Sequence, residues 1–325
     1  MPQIGVIVIG RNEGDRLRIC LESVQPEKYL VIYVDSGSTD GSVALARSMG
    51  VDVVSLDLTV PFTAARARNM GLKRLLEIGA EGEFVQFIDG DCELNANWME
   101  FAQKNLEERS DLAVVCGRRR ERFPEQSVYN RLCDIEWNTP VGEALSCGGD
   151  ALMRLSAIRQ AGGYREELIA GEEPELCLRM RIQGWKIDRL DHEMTLHDAA
   201  MTRFGQWWKR TLRAGHAYAE VSSLHRHSPL KLWQRETRSN WIWGLIIPLL
   251  AILPIPFTWG LSSWLLLLYP LLFFRIRRRQ KQLGTPCLNS YSFFCLLAKL
   301  PMMLGQMKFC INKLFRRRAR IIEYK

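Results

Sequence analysis

The 325-residue sequence lacks several patterns that would assign it to common classes of protein. Its nine cysteines include no Cys-x-x-Cys pair, so neither a zinc knuckle nor a redox motif is predicted. Their odd number and irregular spacing favour reduced thiols in a reducing compartment. The opening segment, MPQIGVIVIGRNEG, has neither the basic stretch nor the cleavage site of a signal peptide. We therefore expect the N-terminal part of the chain to remain in the cytosol.

An excess of positive charge is absent from the first two thirds of the chain. Residues 1–230 carry 28 basic and 34 acidic side chains, although the whole sequence has a net charge of +8. A nucleic-acid-binding domain needs basic side chains to neutralise phosphates, so no nucleic-acid partner is expected. The basic excess lies at the C-terminus, where residues 275–325 hold 13 lysines and arginines against one acid.

The first predicted turn lacks two nucleotide-binding signatures. A dinucleotide oxidoreductase needs Gly-x-Gly-x-x-Gly there, whereas Gly10 and Gly14 are separated by Arg-Asn-Glu. The Gly-rich, Lys-containing loop of a sugar-phosphate nucleotidyltransferase is also absent. A sugar-phosphate nucleotidyltransferase nevertheless remains an open interpretation, because enzymes of that class also have an α/β sheet and metal-binding carboxylates. The other open interpretation is an inactive membrane scaffold with a nucleotide-sugar-binding fold. A scaffold without catalytic activity does not predict acidic residues at the ends of strands.

Strand-like and helix-like segments alternate over the first 120 residues. The strand-like segments cover residues 4–9, 30–34, 51–56, 84–88 and 112–116. This alternation predicts an α/β fold, with a Rossmann-like sheet that carries helices on both faces. In such sheets ligands bind beyond the carboxyl ends of the strands, which is where Asp35, Asp89 and Asp91 fall.

The most apolar part of the chain is an uncharged run at residues 241–274. It is longer than the ~20 apolar residues of one membrane-spanning helix but short for two. Basic residues flank both ends, so the positive-inside rule places both ends in the cytosol. We therefore predict a helical hairpin that turns at 254–256 (Pro-Ile-Pro) and either crosses or re-enters the membrane. A buried hairpin of a soluble core is the alternative.

A second apolar stretch is predicted to form an amphipathic helix over about 291–315. It carries Lys299 and Lys308 and ends in a basic run at 316–318. Such a helix places its cations against anionic lipid headgroups, although a further membrane span is an open alternative. The predicted organisation is thus a catalytic domain at 1–230 and a membrane-associated helical region at 231–325.

An Asp-Gly-Asp segment follows the apolar strand FVQFI. Asp89 and Asp91, separated by Gly90, can converge on one hard divalent cation. Such a cation can stabilise a departing nucleotide diphosphate. Because Asp-Gly is also a common turn signal, this segment alone is a weak indication. Asp35, in the segment VDSGSTDGS, similarly fits either a capped βα loop or a nucleoside pocket.

Several motifs occur together in the order typical of family 2 glycosyltransferases, which the chain resembles over about residues 4–200. They are VIVIGRNEGDRL, VDSGSTDGS, ARARNMGL, FIDGDCEL, CGGDALMR followed by AGGY, and GEEPELCLRMRIQGWKI. The resemblance implies a GT-A fold with a mixed sheet and a nucleotide-diphosphate-sugar donor, with UDP-sugar the first choice. It also implies Mn²⁺ or Mg²⁺ as cofactor and inverting transfer to a hydroxyl of a lipid or glycan acceptor.

The resemblance implies roles for individual residues as well. Asp89 and Asp91 would bind the metal, and His197 would complete its site unless it is a core histidine. Glu173, the second acid of a Glu-Glu pair, would be the general base, where the family usually has the shorter Asp. Candidates for binding the nucleotide-sugar are Arg11, Glu13, Asp35, Ser36, Arg68, Asp89, Gly90 and Asp150.

The predicted cellular role follows from these two parts of the chain. A hairpin attached to the catalytic domain would hold it near lipid headgroups, which favours a lipid or lipid-linked glycan acceptor. We therefore expect a hexosyltransferase of cell-envelope polysaccharide or glycolipid synthesis on the cytoplasmic face of the inner membrane. Polymerisation with export is not expected, because too few membrane spans remain for a secretion channel.

Overall fold

A computed structural model describes residues 4–79, 82–317 and 321–323. The chain separates into two compact units. The first consists of Met1–Pro124 and Glu136–Ala200, and the second of Glu125–Ile135 and Met201–Lys325.

The elements through residue 197 alternate between strands and helices. In chain order they are β1 (Ile4–Gly10), α1 (Asp15–Ser23), β2 (Leu30–Asp35), α2 (Ser42–Ser48), β3 (Asp52–Ser55), α3 (Ala64–Glu77), β4 (Phe84–Asp89), β5 (Cys92–Leu94), α4 (Trp98–Glu108), β6 (Leu112–Glu121), a 3₁₀ turn (Pro124–Gln126), α5 (Val128–Trp137), β7 (Gly142–Glu143), β8 (Ala151–Arg154), α6 (Leu155–Ala161), α7 (Glu172–Ile182) and β9 (Lys186–His197).

These strands form one mixed sheet in the order β3-β2-β1-β4-β8-β6-β9-β5, and β7 pairs with β9. Strands β1 to β4 are parallel to their neighbours among themselves, whereas β8 is antiparallel to both β4 and β6. The predicted α/β fold with a mixed sheet is therefore confirmed.

Helices cover the apolar central strands closely. Every residue of β1 from Ile4 to Ile9 is buried, as expected for a strand with both faces packed. Where α3 crosses β1, a Cβ atom on Gly71 would lie 2.4 Å from Cγ2 of Ile7. A side chain at residue 71 would therefore push the helix away from the sheet, which explains the glycine in ARARNMGL.

The strand register brings the predicted site residues to one edge of the sheet. Gly10 is opposite Asp35 and Ile9 is opposite Asp89, so β1, β2 and β4 end at the same level. On the far side of the sheet, β5 pairs antiparallel with β9 and sets Cys92 opposite His197. The chain turn after β4 is thereby placed next to the end of β9.

The second unit is helical. After α5 it contains α8 (Phe204–Leu224), α9 (Gln234–Trp241), a π-helical turn (Ile242–Ile246), α10 (Ile247–Ile252), a 3₁₀ helix (Leu261–Leu267), α11 (Leu268–Gln282), α12 (Leu288–Leu297) and α13 (Lys299–Leu314).

Helices α8 and α13 pack at unusually short range. A Cβ atom on Gly305 would lie 2.0 Å from the carbonyl oxygen of Leu212, and one on Gly215 would lie 2.1 Å from that of Met302. Two glycines thus allow backbone-to-backbone contact. This packing assigns α8 to the helical unit, although the sequence placed it in the catalytic domain. The functional boundary at 230 remains a prediction, because packing does not define which residues the reaction needs.

The uncharged run at 241–274 reverses direction within the second unit. The hydroxyl of Tyr269 in α11 donates to the carbonyl of Trp243, and the two rings lie 5.7 Å apart. The π-helical turn and α10 comprise five and six residues. Together they extend about 16 Å, and the chain reverses direction between them and α11.

Among the described residues, one helix is long and apolar enough to cross a membrane, Leu288–Leu314. It contains α12 and α13 and coincides with the helix predicted at about 291–315. This helix meets the criteria for a membrane span by its length and composition only, and the core helices of soluble proteins can meet the same criteria. Part of the predicted basic run, Arg318, lies outside the described residues.

Candidate functional site

A buried arginine joins two of the predicted site carboxylates, Glu173 and Asp89, and the neighbouring Glu172. The guanidinium nitrogens of Arg68 lie 2.8 Å from Glu172, 2.9 Å from Glu173 and 3.0 Å from Asp89. The Arg68 side chain is only 2% exposed. One cation among three carboxylates leaves the cluster with an excess of negative charge. Helix α3 therefore contributes a positioning group that holds the end of β4 beside the start of α7.

Glu173 is poised to exchange a proton near neutral pH. Burial raises the pKa of Glu173 to about 7, the charge on Glu172 acts in the same direction, and Arg68 opposes both. A general base works best when its pKa lies near the operating pH. A carboxylate with this pKa can gain or lose a proton near pH 7, and the role of Glu173 as the base stays a prediction.

Helix α7 begins immediately at the Glu-Glu pair. Its N-cap, Gly171, has a φ of 82°, a left-handed conformation that favours glycine. Acidic side chains in a first helical turn are stabilised by the helix dipole. One turn on, buried Glu175 lies 2.8 Å from Arg165 and 2.7 Å from Arg179. These ion pairs anchor the turn that presents Glu173.

Asp150 supports Asp89 from within the core. It is fully buried and lies 2.7 Å from Arg119. It also accepts hydrogen bonds from the N–H of Asp89 at 3.1 Å and from the hydroxyl of Thr195 at 2.8 Å. Arg119 in turn lies 3.5 Å from Asp89. The structure thus gives Asp150, predicted as a donor-binding residue, contacts that orient Asp89.

The structure brings Asp91 and His197 into direct contact. Their side chains lie 3.0 Å apart, between Oδ2 of Asp91 and Nε2 of His197. Cys92 brings its sulfur close enough to form a possible metal-binding group with them. Asp89 belongs to a separate group, with Cys92 and Asp150. Two of the three predicted metal ligands therefore meet directly, while Asp89 is turned towards arginines.

His197 has the properties of a metal ligand. Burial lowers the pKa of His197 to about 4, and the positive charge of Arg119 acts in the same direction. The imidazole is therefore neutral at physiological pH, as ligation requires. Its Nδ1 atom is buried without a hydrogen-bond partner among the described residues. A carboxylate beside a neutral, under-bonded imidazole fits a divalent metal.

Trp137 was not singled out from the sequence. Its ring stacks on His197 with a centroid distance of 4.7 Å, and the guanidinium of Arg119 lies 5.5 Å from its centre. The ring thus shields the imidazole on one face and contacts a cation of the site. A tryptophan at the end of a helix gives no sequence signal for this position, because ten tryptophans are spread along the chain.

The loop after β2 is organised around Asp35. Its buried carboxylate accepts from the N–H groups of Gly37 at 2.9 Å and Ser38 at 3.0 Å, and from the Tyr33 hydroxyl at 3.2 Å. The N–H of Ser38 also donates to the other carboxylate oxygen at 3.3 Å, so these bonds use the roughly four acceptor positions of the carboxylate. The contacts match the capped-loop interpretation of Asp35, and its nucleoside-binding role stays a prediction.

The remaining predicted donor-binding residues lie in the adjoining loops. The N–H of Ser36 donates to the carbonyl of Gly10, and the N–H of Gly90 donates to that of Ile9. Arg11 is exposed, with its guanidinium 4.6 Å from the centre of the Phe62 ring. Glu13 forms an ion pair with Arg16 at 2.8 Å.

Comparison with known families and proteins gives a consistent result. A family model described as Glycosyl transferase family 2 matches residues 5–148. Glycosyltransferase AglE of Haloferax volcanii is 24% identical over 251 residues, which are 72% of this chain and 80% of AglE. Succinoglycan biosynthesis protein ExoA of Rhizobium meliloti is 24% identical over 199 residues, which are 56% of this chain and 59% of ExoA. The family match ends before Glu173 and His197, so their roles depend on the geometry above.

Solved structures share the fold. The mannosyltransferase PcManGT from Pyrobaculum calidifontis, in complex with GDP-Man and Mn²⁺, has a TM-score of 0.63 at 16% identity, over 96% of this chain and 88% of that one. TarS 1–349 of S. aureus has a TM-score of 0.52 at 14% identity, over 98% and 93% of the two chains. At these identities the likeness establishes the fold alone, and that fold is of the GT-A type.

Proposed function

Because this chain belongs to the family 2 glycosyltransferases, we propose that it transfers a sugar from a nucleotide diphosphate to a hydroxyl of a lipid or glycan acceptor, with inversion and with a divalent metal. The cluster of Glu173, Arg68 and Asp89 carries this proposal. It sets a carboxylate with a pKa near 7 beside the acidic end of β4, at the edge of the sheet where ligands bind in folds of this kind.

Glu173 acts as the general base in the proposed reaction. Its carboxylate takes the proton of the acceptor hydroxyl while that oxygen forms a bond to the anomeric carbon. The bond from this carbon to the diphosphate breaks on the opposite face, and the diphosphate leaves with the electron pair. Attack opposite to the leaving group inverts the configuration. Arg68 positions Glu173 during this step by holding it against Asp89.

Asp91 and His197 would hold the divalent metal, with Asp89 close by on the same turn. When bound, the metal would neutralise the charge that develops on the departing diphosphate. The mixed oxygen and nitrogen ligands favour Mn²⁺ over Mg²⁺, since Mg²⁺ prefers oxygen ligands throughout.

We propose a UDP-sugar as the first donor to test, with Asp35 at the nucleobase. GDP-mannose is the second, because PcManGT was solved with GDP-Man and Mn²⁺ and shares this fold. The name of ExoA, a succinoglycan biosynthesis protein, supports a role in cell-envelope polysaccharide synthesis.

The proposed activity has a direct test. Purified full-length protein is mixed with UDP-, GDP- and dTDP-sugars in the presence of Mn²⁺, and the released nucleotide diphosphate is measured. We expect release from one nucleotide class well above the others, stimulated by a membrane lipid extract as acceptor. Release of pyrophosphate from a nucleoside triphosphate and a sugar phosphate would instead indicate a nucleotidyltransferase.

We further propose that residues 231–325 attach the protein to the inner membrane and that residues 1–230 form the catalytic domain on its cytoplasmic face. The hairpin at 241–274 supports this, because its large apolar side chains are exposed. Phe257 is 86% exposed, Trp259 97% and Trp264 69%. Exposed apolar patches of this kind mark an interaction surface, and tryptophan favours the membrane interface.

Membrane attachment predicts resistance to washing. The protein should stay in the membrane pellet after high-salt and carbonate washes, because burial of apolar surface is not screened by salt. Cysteines introduced at 235 and 285 should both escape labelling from outside the cell. If the washes release intact protein, the chain is held at the membrane only by a peripheral basic anchor and the inserted hairpin is wrong. If only the cysteine at 285 is labelled from outside, the chain crosses the membrane an odd number of times.

A further inference from the structure

The helical unit contains an apolar cavity of about 280 Å³. The residues that line it come from the π-helical turn and from α10 to α13. Those that the argument uses are Trp243, Pro248, Tyr269, Phe293, Leu296 and Leu297. Phe293 is 52% exposed, so the cavity opens at the protein surface. Its volume is just below that of small-ligand pockets, which span roughly 300–1,000 Å³, so it can take part of a ligand such as one acyl chain segment.

One charged side chain lines this cavity, that of Lys299 at the start of α13. Its ammonium group donates to the side-chain oxygen of Asn240 at 3.1 Å. Among the described residues it forms no ion pair. A half-buried ammonium with a neutral partner and two remaining N–H donors is costly unless an anion compensates it.

The surroundings of Lys299 contain more donors than acceptors. The amide of Asn240, which is fully buried, also has an Nδ2 group without a hydrogen-bond partner in the described part of the chain. The only acidic residue on α9 is Glu236, and it is exposed and makes no salt bridge with Lys299. The charge of Glu236 therefore acts on Lys299 only from a distance, and no carboxylate of the described residues contacts this cation.

We propose that this cavity binds one anionic phospholipid, with an acyl chain against the apolar lining and the phosphate on Lys299. An apolar cavity with a single cation at its wall matches a molecule that is apolar at one end and anionic at the other. A free phosphate would satisfy the lysine but would leave the cavity empty. This site rests on the membrane attachment proposed above, and it would make a specific lipid part of the folded helical unit.

The test compares lipid retention between matched variants. Full-length protein is purified in a mild detergent, and bound phospholipid is extracted and quantified by mass spectrometry. We expect wild-type protein to retain about one anionic phospholipid per chain. Lys299→Met keeps the length of the side chain but removes the charge, and retention should fall about tenfold, as for loss of a charged hydrogen bond. Lys308→Met removes an exposed charge from the same helix and should change retention less than about twofold.

A second variant tests the apolar part of the site. Leu297→Trp places a larger side chain in the cavity wall and should also displace the lipid while leaving Lys299 in place. Excess inorganic phosphate should not displace the lipid from wild-type protein. Equal effects of Lys299→Met and Lys308→Met, full retention by Leu297→Trp, or displacement by phosphate would each overturn the proposal.

This outcome is separable from the proposed catalytic function. In detergent, Lys299→Met and Lys308→Met should release nucleotide diphosphate from the donor at the wild-type rate, because neither residue belongs to the sheet-edge site. Thermal unfolding in lipid-free detergent controls for folding, and a variant that has lost its cooperative transition is replaced by Lys299→Gln. Loss of lipid with normal turnover supports the lipid site, whereas normal lipid retention without any donor turnover would overturn the catalytic proposal alone.

Discussion

Replacing Glu173 by glutamine should lower turnover by about 10² or more and leave donor affinity near the wild-type value. Glutamine has almost the same shape but cannot accept a proton from the acceptor hydroxyl. Donor affinity should survive because the sheet-edge residues Asp35, Asp89 and Asp91 are unchanged. Steady-state kinetics with the donor that the nucleotide-sugar panel selects, together with calorimetric titration of that donor, measures both quantities.

The pH profile of the wild-type enzyme provides an independent check on the same residue. The pKa of Glu173 is raised to about 7, and a general base must be deprotonated to act. The rate should therefore be low below pH 6, rise as the pH passes through 7 and level off above it. Since Glu173→Gln removes the titrating group, the residual rate of this variant should lose that rise.

Glu172→Gln is the matched control, because Glu172 shares the same arginine. It removes a negative charge that raises the pKa of Glu173, so the pH profile should move to lower pH while turnover at the plateau changes little. If Glu172→Gln proves the more damaging of the two changes, the base is Glu172 and the assignment is wrong by one residue.

Much of the site could be predicted because its residues end apolar strands. A strand can be recognised from the length and apolar pattern of a short local segment. The carboxyl ends of neighbouring parallel strands then lie at the same edge of the sheet. The position of Asp35, Asp89 and Asp91 at this edge of the sheet could therefore be predicted from the sequence alone. Glu173 was placed by its motif, and the structure adds the cause of its raised pKa, namely burial beside Glu172.

The supporting residues could not be predicted, because they depend on pairing between distant segments. Arg119 stands in a run of three arginines, and only the register of β6 turns it towards Asp150. The antiparallel insertion of β8 between β4 and β6 has no signal in a pattern of alternating strands and helices. Trp137 and His197 are 60 residues apart in sequence, and their ring contact arises only in the folded chain. Each of these contacts is set by tertiary packing, which local patterns do not encode.

The helical region shows the same division between local and long-range information. The uncharged run and its prolines indicated a reversal of the chain. The close approach of α8 and α13 depends on Gly215 and Gly305, which are 90 residues apart in sequence. Isolated glycines in a helical pattern predict only a weaker helix, so the assignment of α8 to this unit required the structure.

Replacing Asp91 by alanine should abolish transfer, with a loss of about 10³ or more, and should also weaken Mn²⁺ binding in the absence of donor. Asp91 is the carboxylate that contacts His197, so its removal leaves the neutral imidazole as the main remaining ligand of the pair. Excess EDTA should inhibit the wild-type enzyme, and added Mn²⁺ should restore activity more effectively than Mg²⁺. Electron paramagnetic resonance of Mn²⁺ measures binding separately from turnover.

The controls for this experiment separate metal binding from folding and from base catalysis. Asp111→Ala removes a surface carboxylate just before β6 that pairs with Lys186 at the start of β9, and this variant should bind Mn²⁺ and turn over as the wild type does. Glu173→Gln should bind Mn²⁺ normally while turnover falls. His197→Ala should weaken Mn²⁺ binding as Asp91→Ala does if the two residues share the ion. Full activity in excess chelator, or unchanged Mn²⁺ binding by Asp91→Ala, would show that the Asp91–His197 contact is structural and that the diphosphate leaves without help from a metal at this position.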